Sequence, residues 1–480
     1  MSALYKSLFI KTVPWPLAVL AGLIITGCTA VGPNYVPPDM QVSTNWNTHL
    51  EGGLNDEEMD PNTLAKWWTT IDDPQLTRLI ELAKANNLDL RKAYARIREA
   101  RARRGITIAS VYPSLDVAGS ATRSRSKENK TTSSLYSANF DAGWEMDIFG
   151  GLRRSVEAVD ADLQTAQEDL HDVLVSLLAE VALNYIEIRT YQSRLAAVQA
   201  SIEAQNETYQ LTLWRYEAGL NDELAVQQAH YNLESSRSQI PSLLAGLEQS
   251  MNSIAVLLGE EPGKLREELE KPEPIPAAPP DVAVGVPADV IRRRPDIRSA
   301  ERALAAQTAR IGVAKASLYP SFTLNGSVGL DALSMRDIYH AAWSLTGGPR
   351  FSWPIFDAGA IRQNIEVQSA LAEQSLIQYE AVVLAALQEV ENALVSYAQE
   401  QQRKENLRQA ALAAETAAEL ARQKFQAGLT DFSNVLDTQR SLLNFKDQLA
   451  QSEGAVTSDL IRLYKALGGG WVSLASNEQL

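Results

Sequence analysis

The sequence predicts an α+β fold, mostly α, made of one unit present twice: four strands per chain and two very long helical hairpins. Three observations carry this. Short motifs recur at an offset of 207 to 209 residues. Two stretches in each copy alternate apolar and polar side chains at period two, as a strand with one apolar face requires. After each pair of strands an apolar three-and-four pattern runs on without proline, well beyond ordinary helix length.

At the start of the chain, Lys6 and Lys11 precede an apolar stretch at 17–25 that is too short for an ordinary membrane span. It ends Ile25-Thr26-Gly27-Cys28, similar to a bacterial lipobox, where cleavage precedes the cysteine and its thiol is acylated. Residues 1–27 are therefore expected to be a lipoprotein signal peptide, with Cys28 the site of lipid attachment. Cys28 is the only cysteine in the chain, so it forms no internal disulfide. Position 29 is Thr29 rather than the aspartate that commonly retains lipoproteins at the inner membrane, which points to the outer membrane. Residues 28–73 read as an N-terminal extended segment. No later apolar run is long enough for a helical span, so a membrane-crossing chain must use a closed β-barrel.

The two copies are expected at 74–260 and 291–468, with a Pro-rich connector at 261–290 and a C-terminal tail at 469–480. Asp89-Leu90-Arg91 aligns with Asp296-Ile297-Arg298, and Tyr112-Pro113-Ser114-Leu115 with Tyr319-Pro320-Ser321-Phe322. Ile148-Phe149 aligns with Ile355-Phe356, still at 207. Further on the offset is 209, where 215–220 faces 424–429 and 257–259 faces 466–468.

Strand alternation is clearest at 136–148. Tyr136, Ala138, Phe140, Ala142, Trp144, Met146 and Ile148 lie on one face, with Asn139, Asp141, Glu145 and Asp147 on the other. In the second copy Phe322, Leu324, Val328 and Leu330 oppose Ser321, Thr323, Asn325 and Ser327. Its partner strand sets Trp343, Leu345, Phe351, Trp353 and Ile355 against Ser344, Thr346, Arg350 and Ser352. The stretch at 114–122 is weaker. Acids and an arginine on the polar face suit a wet lumen, and aromatics on the other suit a lipid-facing wall. Four strands cannot close a barrel whose smallest known form has about eight, so the chain is expected to oligomerise.

Val156, Val159, Leu163, Ala166, Leu170, Val173 and Leu177 open the first long helix, and Val383, Leu387, Val390, Leu394 and Tyr397 belong to the second. A helix of roughly 65 residues reaches about 100 Å. Gly219 and Gly428 suit the left-handed position that ends a helix. Asp222 and Asp431 stand where an acid favours the start of the return helix. The return helices are expected to run to Gly259 and Gly468, and shorter helical pairs at 75–109 and 298–317 to precede the strands.

Several functions are disfavoured. The chain carries 44 Lys+Arg against 59 Asp+Glu, a net charge of −15, and no basic run tracks a phosphate backbone, so nucleic acid is not an expected partner. His49, His171, His230 and His340 show no metal-ligand spacing, and no nucleophile elbow or phosphate loop is present. No enzyme activity and no cofactor beyond the lipid on Cys28 are expected. The competing reading is a periplasmic adaptor or coiled-coil scaffold lipoprotein, though an adaptor needs one hairpin flanked by small β domains, and here there are two.

Together these features resemble the TolC/OprM class of outer-membrane efflux proteins, in its lipoprotein (NodT-like) branch. The resemblance rests on Val31-Gly32-Pro33-Asn34-Tyr35, on Trp67-Trp68 with Asp73-Pro74 and Leu79-Ile80, on Arg293-Arg294-Pro295-Asp296-Ile297, and on Ala466-Leu467-Gly468-Gly469-Gly470-Trp471. It implies a homotrimer with a twelve-stranded barrel in the outer membrane and a helical tunnel in the periplasm. It also implies a periplasmic adaptor and an inner-membrane efflux pump as partners. In the resemblance the helix tips dock the adaptor, at Arg215, Gly219, Leu220 and Asp222 and at Lys424, Gly428, Leu429 and Asp431. The gate falls at Asp437 and Arg440, three apart on one helix face. Ser433 stands where a relative has a leucine constriction, and Asn434 replaces an acid. The second copy is thus expected to carry the gate and the first the fixed wall.

Overall fold

The computed structural model describes residues 30–40, 42–57, 60–125, 132–340 and 342–471. In chain order, β1 (Leu54–Asn55), α1 (Pro61–Ala65), a 3-10 turn (Trp67–Ile71), α2 (Pro74–Asn86) and α3 (Leu88–Ala109) lead to β2 (Ser114–Arg125) and β3 (Thr132–Met146). Then come α4 (Gly151–Glu217), α5 (Glu223–Arg237) and α6 (Gln239–Leu257). Between the copies lie α7 (Arg266–Leu269), β4 (Val282–Ala283) and α8 (Pro287–Arg293). The second copy follows as α9 (Pro295–Ala316), β5 (Ser321–Ala332), β6 (Ala342–Ser352), α10 (Ala360–Gln426) and α11 (Phe432–Ala466). α3 and α9 each have 22 residues, and α4 and α10 each have 67. Among the described residues no helix is long and apolar enough to cross a membrane.

The chain folds into two compact units that cut across the repeat. One takes Ile97–Ala166, Ser299–Glu380 and the described residues up to Asp39; the other takes the rest.

In the first unit the strands form one antiparallel sheet in the order β2-β3-β5-β6. Its register aligns the faces across all four strands. Val117, Phe140, Val328 and Leu345 make one row, and Asp116, Asp141, Ser327 and Thr346 make the next. The apolar rows stay open: Val117 is 72% exposed, Leu345 67% and Phe351 69%. A soluble sheet would lay that face on a core; this one does not. β2 and β6 are the outer strands, each with one unpaired backbone edge. The strands stop at Met146 and Ser352, so Ile148, Trp353 and Ile355 stand beyond them.

The register also corrects one alignment. Ser114 faces Gly143 and Ser321 faces Ser352, so β3 and β6 already correspond at 209, and Ile148-Phe149 is not the structural counterpart of Ile355-Phe356. The two-residue difference falls between the paired strands, where loop length is free, rather than after them. At the other end the junction is fixed. The Trp144 indole Nε1–H donates to Val111 O at 2.9 Å, and that of Trp353 to Leu318 O at 3.0 Å. Beyond the strand ends α4 meets α9 through small side chains, with Ala161 on Ala305 and Ala306. Arg310 pairs there with Asp162 at 2.6 Å, and Arg104 of α3 pairs with Asp160.

The second unit holds the main core. Asp73 caps α2 by accepting Leu76 N–H at 2.9 Å, and its other oxygen accepts the Tyr185 hydroxyl at 2.7 Å. Leu76, Leu79 and Ile80 are fully buried, and Trp67 stacks on Tyr464 with centroids 5.5 Å apart. Arg294 donates to the α11 end carbonyl of Ala466 at 2.7 Å and pairs with Asp296 and Glu389.

Proline shapes this unit in three places. The 261–290 connector is itself packed into the core. Leu265, Leu269, Val282 and Val284 are buried, and β4 pairs in parallel with β1. The fully buried Arg189 holds this segment through Lys271 O at 3.0 Å and Glu273 at 3.1 Å. Its prolines interrupt regular structure, yet the apolar side chains between them still leave water. The first return helix runs to Leu257 with one interruption, at Ser238, where the backbone angles stay helical. Pro241 cannot donate to the Arg237 carbonyl and its ring crowds it, whereas Ala450, its counterpart, leaves α11 unbroken over 35 residues. In the second copy the helical pair before β5 is α8 and α9, parted at Arg294 because Pro295 starts α9.

Trp67→Ala is expected to destabilise the second unit by about 3–5 kcal/mol, the usual cost of emptying a buried tryptophan site. The denaturant midpoint of the detergent-extracted protein measures it.

Candidate functional site

The two helix tips share one backbone solution. α4 ends with Gly219 at φ +74°, and α10 with Gly428 at φ +73°. Leu220 N–H reaches Arg215 O at 2.7 Å and Gly219 N–H reaches Tyr216 O at 2.9 Å. Leu429 N–H reaches Lys424 O at 2.8 Å and Gly428 N–H reaches Phe425 O at 3.0 Å. These are paired Schellman closures, which satisfy carbonyls a helix end leaves open. The residue after the glycine usually packs back on the helix. Here Leu220 is 68% and Leu429 76% exposed, so both tips present a leucine outward.

The starts of the return helices differ. Asp222 accepts Ala225 N–H at 3.0 Å, as expected of an N-cap. Asp431 holds the same position without a side-chain bond, and only its carbonyl serves, to Asn434 N–H at 3.2 Å. The acid there contributes charge near the helix start but no capping bond.

Within one chain the tips lock together. Phe425, Phe432, Val435 and Leu436 from the second copy bury against Ala225 and Ala229 of the first. The Arg215 guanidinium lies 4.7 Å over the Phe425 ring and donates to Phe425 O at 3.2 Å. These aromatics were not singled out from the sequence. The signal was present, since Phe425 and Phe432 flank the glycine turn with seven-residue spacing.

Ser433, Asn434, Asp437 and Arg440 all stand on the exposed face of α11. Asn434 donates to Thr430 Oγ1 at 2.8 Å. Asp437 and Arg440 form an i,i+3 pair at 3.7 Å, with side chains 71% and 57% exposed. At that length and exposure the pair is weak. Arg440 makes its shorter bond elsewhere, to Asn232 Oδ1 of α5 at 2.9 Å. Beneath it, Gln439 donates to Thr208 Oγ1 of α4 at 2.8 Å. Arg440, expected at the gate, is thus bonded to the first copy's return helix. Cys28 lies outside the described residues. Among the described residues no cluster of His, Cys, Asp and Glu could hold a metal ion.

This duplicated sheet-and-hairpin chain belongs to the outer membrane efflux protein family, whose model matches residues 79–260 and 286–469. It is 35% identical to nodulation protein T of Rhizobium leguminosarum bv. trifolii, over 94% of this chain and 97% of that protein. It is 31% identical to the solvent efflux pump outer membrane protein SrpC of Pseudomonas putida, over 95% of this chain and 98% of that one. Among solved structures, the outer-membrane channel OprN superposes with a TM-score of 0.85 at 35% identity, covering 92% of this chain and 99% of that chain. The chain is accordingly an outer-membrane efflux channel protein that extends into the periplasm.

Arg215→Ala is expected to loosen the joined tips by about 1–3 kcal/mol, the scale of a charge-assisted hydrogen bond with a ring contact. Faster limited proteolysis around 214–224 and 423–432 reads it out.

Proposed function

We propose that three copies of this chain close a twelve-stranded barrel through the outer membrane. It passively conducts cargo delivered by an inner-membrane pump through a periplasmic adaptor. The observation that carries the reading is the four-stranded sheet with an exposed apolar face and two unpaired edges. Hydrocarbon tolerates neither open edge, and four strands are half the smallest barrel, which is about eight. Cys28 carries the lipid anchor. The outward Leu220 and Leu429, beside Arg215, Asp222, Lys424 and Asp431, receive the adaptor. Asp437 and Arg440, with Ser433 and Asn434 on the same face, narrow the resting channel. No resident cofactor is needed, and no enzymatic step is assigned. One relative is named for nodulation and another for solvent efflux at comparable identity, so cargo choice rests with the pump.

Two experiments test this reading. In outer membranes, cysteines placed at Val117 and Val328 should refuse a water-soluble maleimide while one at Ser327 accepts it. Equal labelling of both faces would sink the barrel. In planar bilayers, Asp437→Ala with Arg440→Ala should raise open probability about tenfold or more, since three Asp437–Arg440 contacts between copies would contribute up to about 1 kcal/mol each. Unchanged, low conductance would remove these residues from the gate.

A further inference from the structure

The sheet order leaves β2 and β6 as the free edges, and the helices joined to those edges carry opposite charge. α3, which leads into β2, holds seven basic residues against Asp89 and Glu99, in a chain of net charge −15. The start of α10, which leaves β6, holds Glu366, Glu373 and Glu380 at seven-residue spacing, with Ala370 and Ile377 on the same stripe. The side chains of Arg98, Arg101, Glu366, Glu373 and Glu380 are all exposed, and none makes an ion pair or side-chain hydrogen bond among the described residues. Elsewhere in this unit two helix-to-helix charges are matched, Arg104 with Asp160 and Arg310 with Asp162. Apolar side chains also stand open on both helices, Ile106 at 71% and Ile377 at 57%.

We infer that the Arg98–Arg101 ridge of one copy docks on the Glu366–Glu373 ridge of the next. The occupant of this surface is a second copy of the chain, and the charge match fixes which edge meets which. The repeat supplies the template. Within the chain, Ala305 of α9 rests on Ala161 of α4. At an offset of 207 Ala305 corresponds to Arg98, and at 209 Ala161 corresponds to Ala370. The same helix-on-helix contact between copies therefore lays Arg98 over Ala370, with Glu366 and Glu373 one turn to either side. Gly105, where an added Cβ would meet nothing within 4 Å, leaves room for close approach further along α3. A small apolar contact inside the chain is replaced by a charged one between chains. It is hydrated while the chain is alone and matched once the ring forms.

This inference rests on the ring reading above, and the test separates the two. Full-length protein is extracted from outer membranes and sized on native gels. Glu366→Lys with Glu373→Lys should cut the trimer about tenfold or more, as should Arg98→Glu with Arg101→Glu, because like charges then face each other. All four changes together should restore it. Independently of any folding defect, Arg98→Cys with Ala370→Cys should give covalent dimers and trimers on oxidation. A wild-type chain that runs as a monomer would overturn the ring itself. A wild-type trimer indifferent to both reversals, or a fourfold variant no better than either pair, would overturn only the ridges, as would cysteines that never cross-link.

Discussion

In hydrocarbon a peptide group without a partner has no water to fall back on, and each such group costs several kcal/mol. Most of this chain follows from that constraint. A four-stranded sheet with an apolar face cannot stand alone in a bilayer and cannot curl shut. Its strands must find partners on other copies, and the helices continuing from those strands come along with them. The sheet thereby dictates neighbours for side chains that lie far outside the membrane.

Duplication is the means by which one chain supplies enough edge. Both copies keep the features that set geometry: helices of equal length, the tryptophan-to-carbonyl bond at the helix–strand junction, and the glycine closure at each tip. They diverge where faces meet different surroundings. Asp222 caps and Asp431 does not; Ala305 is buried while Arg98 is exposed. Divergence of this kind is expected once two copies are covalently fixed in unequal positions, since each is then selected against its own neighbour.

Much of this was legible in the residues, for physical reasons that can be named. Period-two alternation with large side chains, as in Phe140 and Trp144, marks a strand clearly. β2 was weak because Gly119, Ala121 and Ser120 contribute little contrast between faces, although it pairs over its full length. Proline richness at 261–290 marks a connector but says nothing of its packing, and the leucines and valines there anchor in the core. Pro241 removes one bond from the first return helix while Ser238 stays helical. The tip residues could be placed from the glycine turns and the resemblance. Their partners could not, because Asn232, Thr208 and Phe425 meet Arg440, Gln439 and Arg215 only in three dimensions.

The interruption at Ser238 sets the two return helices apart. α11 is one unbroken helix, from the tip at Phe432 to the carbonyl of Ala466 gripped by Arg294. α5 and α6 keep helical backbone angles through Ser238 but lack the bond that Pro241 cannot make to the Arg237 carbonyl. The two return helices thus differ by one backbone hydrogen bond, missing in the first copy and kept in the second.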